Sequence, residues 1–377
     1  MPEDRALVLS GGGARAAYQV GVVKAIAEML PALRFDIITG VSAGAINTVS
    51  LAANAGSLAD AAADLEAQWD RLTPDQVYRA RPVRLARAAA RFLWQGITKR
   101  GAGPTAFRGL LDMQPLRGFL EEAVDLRGIA ANVAAGRLRA VALSTTSYTT
   151  GWTVTFVQGG EQIAMWSRAQ RVAIRADITF DHLLASAAIP IVFPAVGLHH
   201  EFFGDGSVRQ AAPLAPAVHL GATKILAIGM RRRRSPAVPV QIADAEYPSA
   251  AEVFGLLLHA VFLDALDTDA ERLERINRTI QLLPPGAVHP EGLRRLDLLL
   301  LRPSRDLGAM AREYDVRLPP IIATVVRAMG GRRVRAADFL SYLMFDPRYT
   351  GELIALGYDD TIRQQGAIER FFRAEGS

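Results

Sequence analysis

The chain has 377 residues, half of them hydrophobic and 21% charged. That balance belongs to a globular protein with a large core, not to a disordered chain. Cysteine is absent, which excludes disulfides, thiolate metal sites and cysteine nucleophiles and suits a cytoplasmic location. The net charge of +5 favours anionic partners such as phospholipid headgroups, nucleic acid or acidic substrates, although a merely solvated basic surface accounts for it equally well.

Glu3, Asp4 and Arg5 precede a first apolar run too short for a secretion signal. No stretch reaches the roughly 18 apolar residues that a spanning helix needs. Any membrane contact is therefore expected to be peripheral.

In chain order, residues 5–10 read as a short buried strand. Gly11-Gly12-Gly13 follows, then an alanine-rich helical stretch over 14–30. Residues 35–39 read as a second strand. Gly40-Val41-Ser42-Ala43-Gly44 ends it, and 45–55 read as helix. This repeated strand, glycine turn and helix predicts an α/β fold with a mainly parallel sheet. Further strands are expected at 138–144, 152–157, 224–229 and 297–301. Residues 249–283 carry apolar side chains at helical spacing. The segment 236–239, with Pro236 and Pro239, is the best linker candidate, and Asp346-Pro347 and Gly357 are expected to break a helical tail.

Gly40-x-Ser42-x-Gly44 between a strand and a helix suits a nucleophilic hydroxyl. Such a group stands clear of the sheet on a tight turn, and flanking glycines remove side chains that would clash there. A plain helix N-cap is the alternative meaning of Ser42. Gly11, Gly12, Gly13, Ala14 and Arg15 open the first helix with bare backbone. Their amides can converge on a developing oxyanion, with Arg15 holding the loop or adding positive field. A dinucleotide cradle, Gly11-x-Gly13-x-x-Ala16, is the competing reading. It lacks the acidic residue expected at the end of the second strand, because Asp36 lies at that strand's start.

A serine nucleophile needs a proton acceptor. None of the six histidines sits in an obvious catalytic frame. Gly204-Asp205-Gly206 is more suggestive, since an aspartate between glycines can approach another side chain closely, and burial would make it a better base. An ordinary Asp-Gly turn is the bland alternative. No metal-ligand spacing appears, so neither a metal nor a cofactor is expected.

The ordered set Gly11-Gly12-Gly13-Ala14-Arg15, Gly40-Val41-Ser42-Ala43-Gly44 and Asp205-Gly206 resembles the patatin-like phospholipase family. Ala185-Ser186-Ala187-Ala188-Ile189-Pro190 through Phe193-Pro194 resembles that family's approach to its aspartate. The similarity covers roughly residues 5–230. It implies a three-layer α/β/α sandwich and a Ser42–Asp205 dyad without histidine. Glycine-loop amides would hold the oxyanion, and the substrate would be a lipid or related ester. Ser207 departs from the family pattern, which usually carries glycine or alanine after Asp-Gly. A non-catalytic member that binds lipid or a partner is the alternative reading.

The expected organisation is a catalytic α/β domain over 1–235 and a mostly helical C-terminal extension over 236–377. Residues 79–100 hold Arg79, Arg81, Arg84, Arg87, Arg91, Lys99 and Arg100 without an acidic residue. They are expected either to dock on anionic membrane or to form an ordinary basic helix face. Arg231-Arg232-Arg233-Arg234 reads as a solvated loop, and no nucleic-acid module is evident. The sequence leaves the oligomeric state open.

Overall fold

The structure, a computed structural model, describes residues 4–80, 109–232, 250–284, 289, 292–314 and 341–373. Its strands are β1 (Arg5–Leu9), β2 (Ile37–Val41), β3 (Arg79–Ala80), β4 (Leu111–Asp112), β5 (Ala140–Ser147), β6 (Thr153–Gly159), β7 (Ser167–Arg168), β8 (Arg171–Arg175), β9 (Val196–Leu198), β10 (Glu201–Asp205), β11 (Lys224–Ile228) and β12 (Asp297–Leu301). All but the short β3–β4 ribbon join one sheet, in the order β12-β11-β1-β2-β5-β6-β8-β7, with the β9–β10 hairpin attached to β5. From β12 to β5 every neighbour is parallel.

The apolar strands alternate between two cores. Leu7 and Leu9 of β1 enter the larger cluster, and Ala6 and Val8 enter the smaller. The strands β5 and β11 divide in the same way, Val141 and Leu143 against Ala140 and Ala142, and Leu226 and Ile228 against Ile225 and Ala227. A strand buried on both faces cannot alternate apolar with polar, which explains the unbroken apolar runs of the sequence. Helices α1 (Ala17–Met29), α2 (Ala43–Ala53) and α3 (Leu58–Arg71) cover one face. Helix Asp264–Gln281 covers the other through Leu266, Ala270 and Leu273. Each large aliphatic side chain so enclosed stabilises the fold by about 1.5–3 kcal/mol. The result is the expected three-layer α/β/α sandwich with a mainly parallel centre.

Residues on both sides of position 235 share this sheet and core. β12 pairs with β11 over five residues. Tyr349, Leu353 and Ile354 from helix Pro347–Ile362 join the larger cluster with Tyr18 and Val22. That helix meets α1 at two glycines. A Cβ on Gly21 would lie 1.8 Å from the Ile354 carbonyl oxygen, and one on Gly357 would lie 2.1 Å from the Tyr18 carbonyl oxygen. Gly357 therefore does not break the tail, as its composition suggests. It sits inside the helix because two backbones touch there. Asp346-Pro347 does mark a boundary, since Asp346 caps this helix by accepting from the Arg348 amide at 2.9 Å.

The β9–β10 hairpin and the strands β7 and β8 were not expected from sequence. The paired prolines Pro190 and Pro194 mask the approach to β9, and β8 carries arginines at both ends. The basic segment over 81–100, the linker candidate over 236–239, and Arg233 and Arg234 lie outside the described residues.

Candidate active site

Adjacent parallel strands bring the loops at their carboxyl ends together, and β1 and β2 are such neighbours, with Leu9 opposite Gly40. The triglycine loop follows β1 and Ser42 follows β2.

Ser42 has φ 56° and ψ −133°. This is a sparsely populated conformation for a residue with a side chain, costing about 1–3 kcal/mol. The surroundings force it. A Cβ on Gly40 would come within 2.5 Å of the Gly44 carbonyl oxygen, and one on Gly44 within 2.4 Å of the Leu9 carbonyl oxygen. Both glycines are required by close backbone approach. The Ser42 hydroxyl makes no capping hydrogen bond to α2, so the hydroxyl is not spent as an N-cap.

The turn is tied down through its backbone. The Ser42 amide donates to Ser186 Oγ at 3.0 Å, and Ser186 Oγ donates to the Ser144 carbonyl at 2.7 Å. Gln210 then donates to Ser144 Oγ at 2.9 Å. These polar groups are all buried. Their serines and glutamine carry no motif of their own, and only the resemblance of 185–190 to the family's pattern hinted at Ser186.

Asp205 ends β10, paired with Thr145 of β5. Its amide donates to the Ala188 carbonyl at 2.9 Å, and its carbonyl accepts from Thr146 Oγ1 at 2.9 Å. The next residue packs against β5 and β2. A Cβ on Gly206 would lie 2.2 Å from the Ser144 carbonyl oxygen and 2.8 Å from Val41 Cγ2. The Asp-Gly turn is therefore pressed against the residue that precedes Ser42.

The Asp205 side chain is fully buried. Oδ1 accepts from the Ser207 amide at 2.9 Å. Burial pushes the carboxyl up to about 6, and the Ser42 hydroxyl, the Ser207 amide and the Ser207 hydroxyl pull it partway back. The Ser42 hydroxyl thus acts on this carboxylate at close range, yet Oδ2 has no complete hydrogen bond among the described residues.

The glycine loop closes the third side. A Cβ on Gly11 would meet Ser207 Oγ at 2.7 Å and Ser42 Cβ at 3.0 Å. Gly13 has φ +56°, and its Cβ would lie 2.1 Å from the Tyr342 carbonyl oxygen. Among the described residues, the amides of Gly11, Gly12 and Gly13 enter no hydrogen bond, whereas the Ala14 amide donates to the Tyr342 carbonyl at 2.9 Å and the Arg15 amide to the Gly12 carbonyl at 3.2 Å. The Arg15 side chain is buried, donates from Nε to Ser341 Oγ at 2.7 Å and lies 4.3 Å over the Tyr342 ring. Ala14 and Arg15 thus brace the loop against 341–342, and the three glycine amides remain available.

This arrangement leaves little for a dinucleotide. Asp36 Oδ2 accepts from the Arg5 amide at 2.8 Å, which fixes the start of β2. Among the described residues no cluster of histidine, aspartate and glutamate could hold a metal ion. The buried His182 closes a helix start by accepting from the Thr179 amide at 3.1 Å. Burial, then His199, pushes it down to about 4.

The family model for patatin-like phospholipase matches residues 7–218, a span that holds the glycine loop, Ser42 and Asp205. The chain belongs to the patatin-like phospholipase family. No curated protein matches it. Among solved structures it is similar to VipD from Legionella pneumophila, at 13% identity and a TM-score of 0.37, with 97% of this chain and 67% of that one covered. It is also similar to human GIVD cytosolic phospholipase A2 bound to methyl gamma-linolenyl fluorophosphonate and terbium chloride, at 13% identity and a TM-score of 0.43. The match covers 98% of this chain and 59% of that one, so the chain spans well under two thirds of the human enzyme's length.

For the patatin-like phospholipase family, lipid hydrolysis is the reaction class. No described helix is long and apolar enough to cross a membrane.

Proposed function

We propose that this chain is a serine acyl-hydrolase of lipid esters, of the phospholipase A, lysophospholipase or esterase type. The observation that carries the reading is the convergence of a strained, uncapped Ser42, a buried Asp205 and three unengaged glycine amides.

Ser42 Oγ attacks the ester carbonyl carbon while Asp205 takes the hydroxyl proton. The carbonyl π pair moves to oxygen, and the amides of Gly11, Gly12 and Gly13 receive that charge. Collapse of the intermediate breaks the bond to the alcohol, which leaves with the proton from Asp205. The acyl group stays on Ser42. Asp205 then deprotonates a water whose oxygen attacks the acyl carbonyl; the bond to Ser42 Oγ breaks, the fatty acid leaves, and Asp205 returns the proton to Ser42. A carboxyl raised to about 6 serves this cycle better than an ordinary aspartate, because it accepts a proton more readily and is still ionised at neutral pH.

The segment over 79–100 supports peripheral docking on anionic lipid through its seven cationic residues. Binding to phosphatidylglycerol vesicles that rises with anionic content and weakens with salt is the expected result. Insensitivity to both would remove this part of the proposal.

Hydrolysis is tested by incubating a mixed lipid extract with wild type and Ser42→Ala and analysing the products. Free fatty acid released by wild type alone is expected. Lipid association without release by either protein would favour a binding module.

A further inference from the structure

Two buried polar atoms beside the nucleophile lack a complete hydrogen bond, and their chemistry is complementary. Asp205 Oδ2 needs a donor, and Ser207 Oγ carries one. Both residues lie on one tight turn, with the Ser207 amide already on Oδ1 at 2.9 Å. The Ser207 hydroxyl does not point to bulk solvent, for the residue is buried and the oxygen would be 2.7 Å from a Cβ on Gly11. A Cβ on Gly11 would also lie 3.0 Å from Ser42 Cβ, so Ser207 and Ser42 border one buried space beside Asp205.

Building on the dyad reading, we infer that Ser207 is a positioning residue: its hydroxyl is a second donor to the Asp205 carboxylate, competing with Ser42 and tuning Asp205 as a base. A dry carboxylate holds its charge more readily with each donor it gains. The groups acting on Asp205 come from three elements. Ser42 reaches it from the start of α2 and Ser207 from its own turn, while the third, Tyr148 just after β5, is a neutral phenol that burial and then Asp205 hold above its usual range. Ser186 of helix Phe180–Ala187 is engaged with Ser42 and Ser144, and His182 of that helix is coupled to His199. Among the described residues no lysine, arginine or histidine is among the causes that shift Asp205. Loss of one hydroxyl is therefore not masked by a neighbouring cation.

The experiment follows the rate of labelling by a fluorophosphonate against pH in wild type, Ser207→Ala and Ser207→Gly. The acid limb of both variants is expected to move up by about one pH unit, and the plateau rate to rise by about threefold, because the carboxylate freed of a competing donor is the stronger base toward Ser42. Melting curves report whether each variant is folded, and the glycine variant gives the same comparison if the alanine one is not. A limb that stays in place in a folded variant overturns the inference. A plateau that falls while the limb stays assigns Ser207 to the oxyanion and overturns it too. Wild type that does not label, or labels as fast with Asp205→Asn, defeats the dyad reading itself, a result distinct from either.

Discussion

The Ser42 amide and the Ser186 hydroxyl lie 3.0 Å apart, and that bond ties the strained Ser42 turn to helix Phe180–Ala187. Through Ser186 the turn is also tied to β5, at the Ser144 carbonyl. A residue in a sparsely populated conformation persists only where its neighbours hold it.

Ser186→Ala removes this tie and leaves the buried Ser42 amide without an acceptor. Stability is expected to fall by about 1–3 kcal/mol, read by denaturant unfolding. The labelling rate at Ser42 should fall as well. Equal labelling in the variant would show that the turn holds its shape unaided.

Gly11→Ala would place a methyl group against Ser207 Oγ and Ser42 Cβ. Ester hydrolysis is expected to drop by about a hundredfold or more, because the loop must shift and carry its amides off the oxyanion, and stability to fall by about 1–3 kcal/mol through overpacking. The measurement is kcat/KM on a short-chain nitrophenyl ester. Undiminished turnover would remove the loop from the mechanism.

Asp205 links activity and stability to pH with opposite signs. The base is the ionised carboxylate, so activity should fall about tenfold per pH unit below about 6. The raised folded-state value means that the folded protein prefers the protonated form. Its contribution to stability is present below about pH 4 and is lost as pH rises through about 6. Asp205→Asn should therefore be inactive yet more stable at pH 7.5, by up to ~3 kcal/mol, with little gain at pH 4. Calorimetric melts at the two pH values distinguish this from a plain loss of packing, which would destabilise at both.

Gly357→Ala pushes a methyl into the Tyr18 carbonyl and parts helix Pro347–Ile362 from α1. A loss of about 1–3 kcal/mol or more is expected. Because 341–342 brace Ala14 and Arg15, activity should fall at temperatures where the bulk of the fold survives. Limited proteolysis releasing the C-terminal segment would accompany it.

Much of this was legible from local chemistry. Apolar runs between glycine turns announce buried parallel strands, and Gly40-x-Ser42-x-Gly44 announces a tight strand-to-helix turn, since both depend on residues close in sequence. Other features depend on distant backbone. Gly357 is a helix breaker by propensity, and only the Tyr18 carbonyl explains its place inside a helix. The Ala14 amide is a plausible oxyanion donor by position, yet it is taken by Tyr342. Ser186, Ser144 and Gln210 form a polar chain across three separate segments, and ordinary serines announce nothing of that kind.

The most direct test is peptide mapping after reaction with a fluorophosphonate. One covalent adduct on Ser42 is expected, absent in Ser42→Ala and slowed by at least about a hundredfold in Asp205→Asn. An adduct on another residue, or undiminished labelling of Ser42 in the Asp205 variant, would contradict the account.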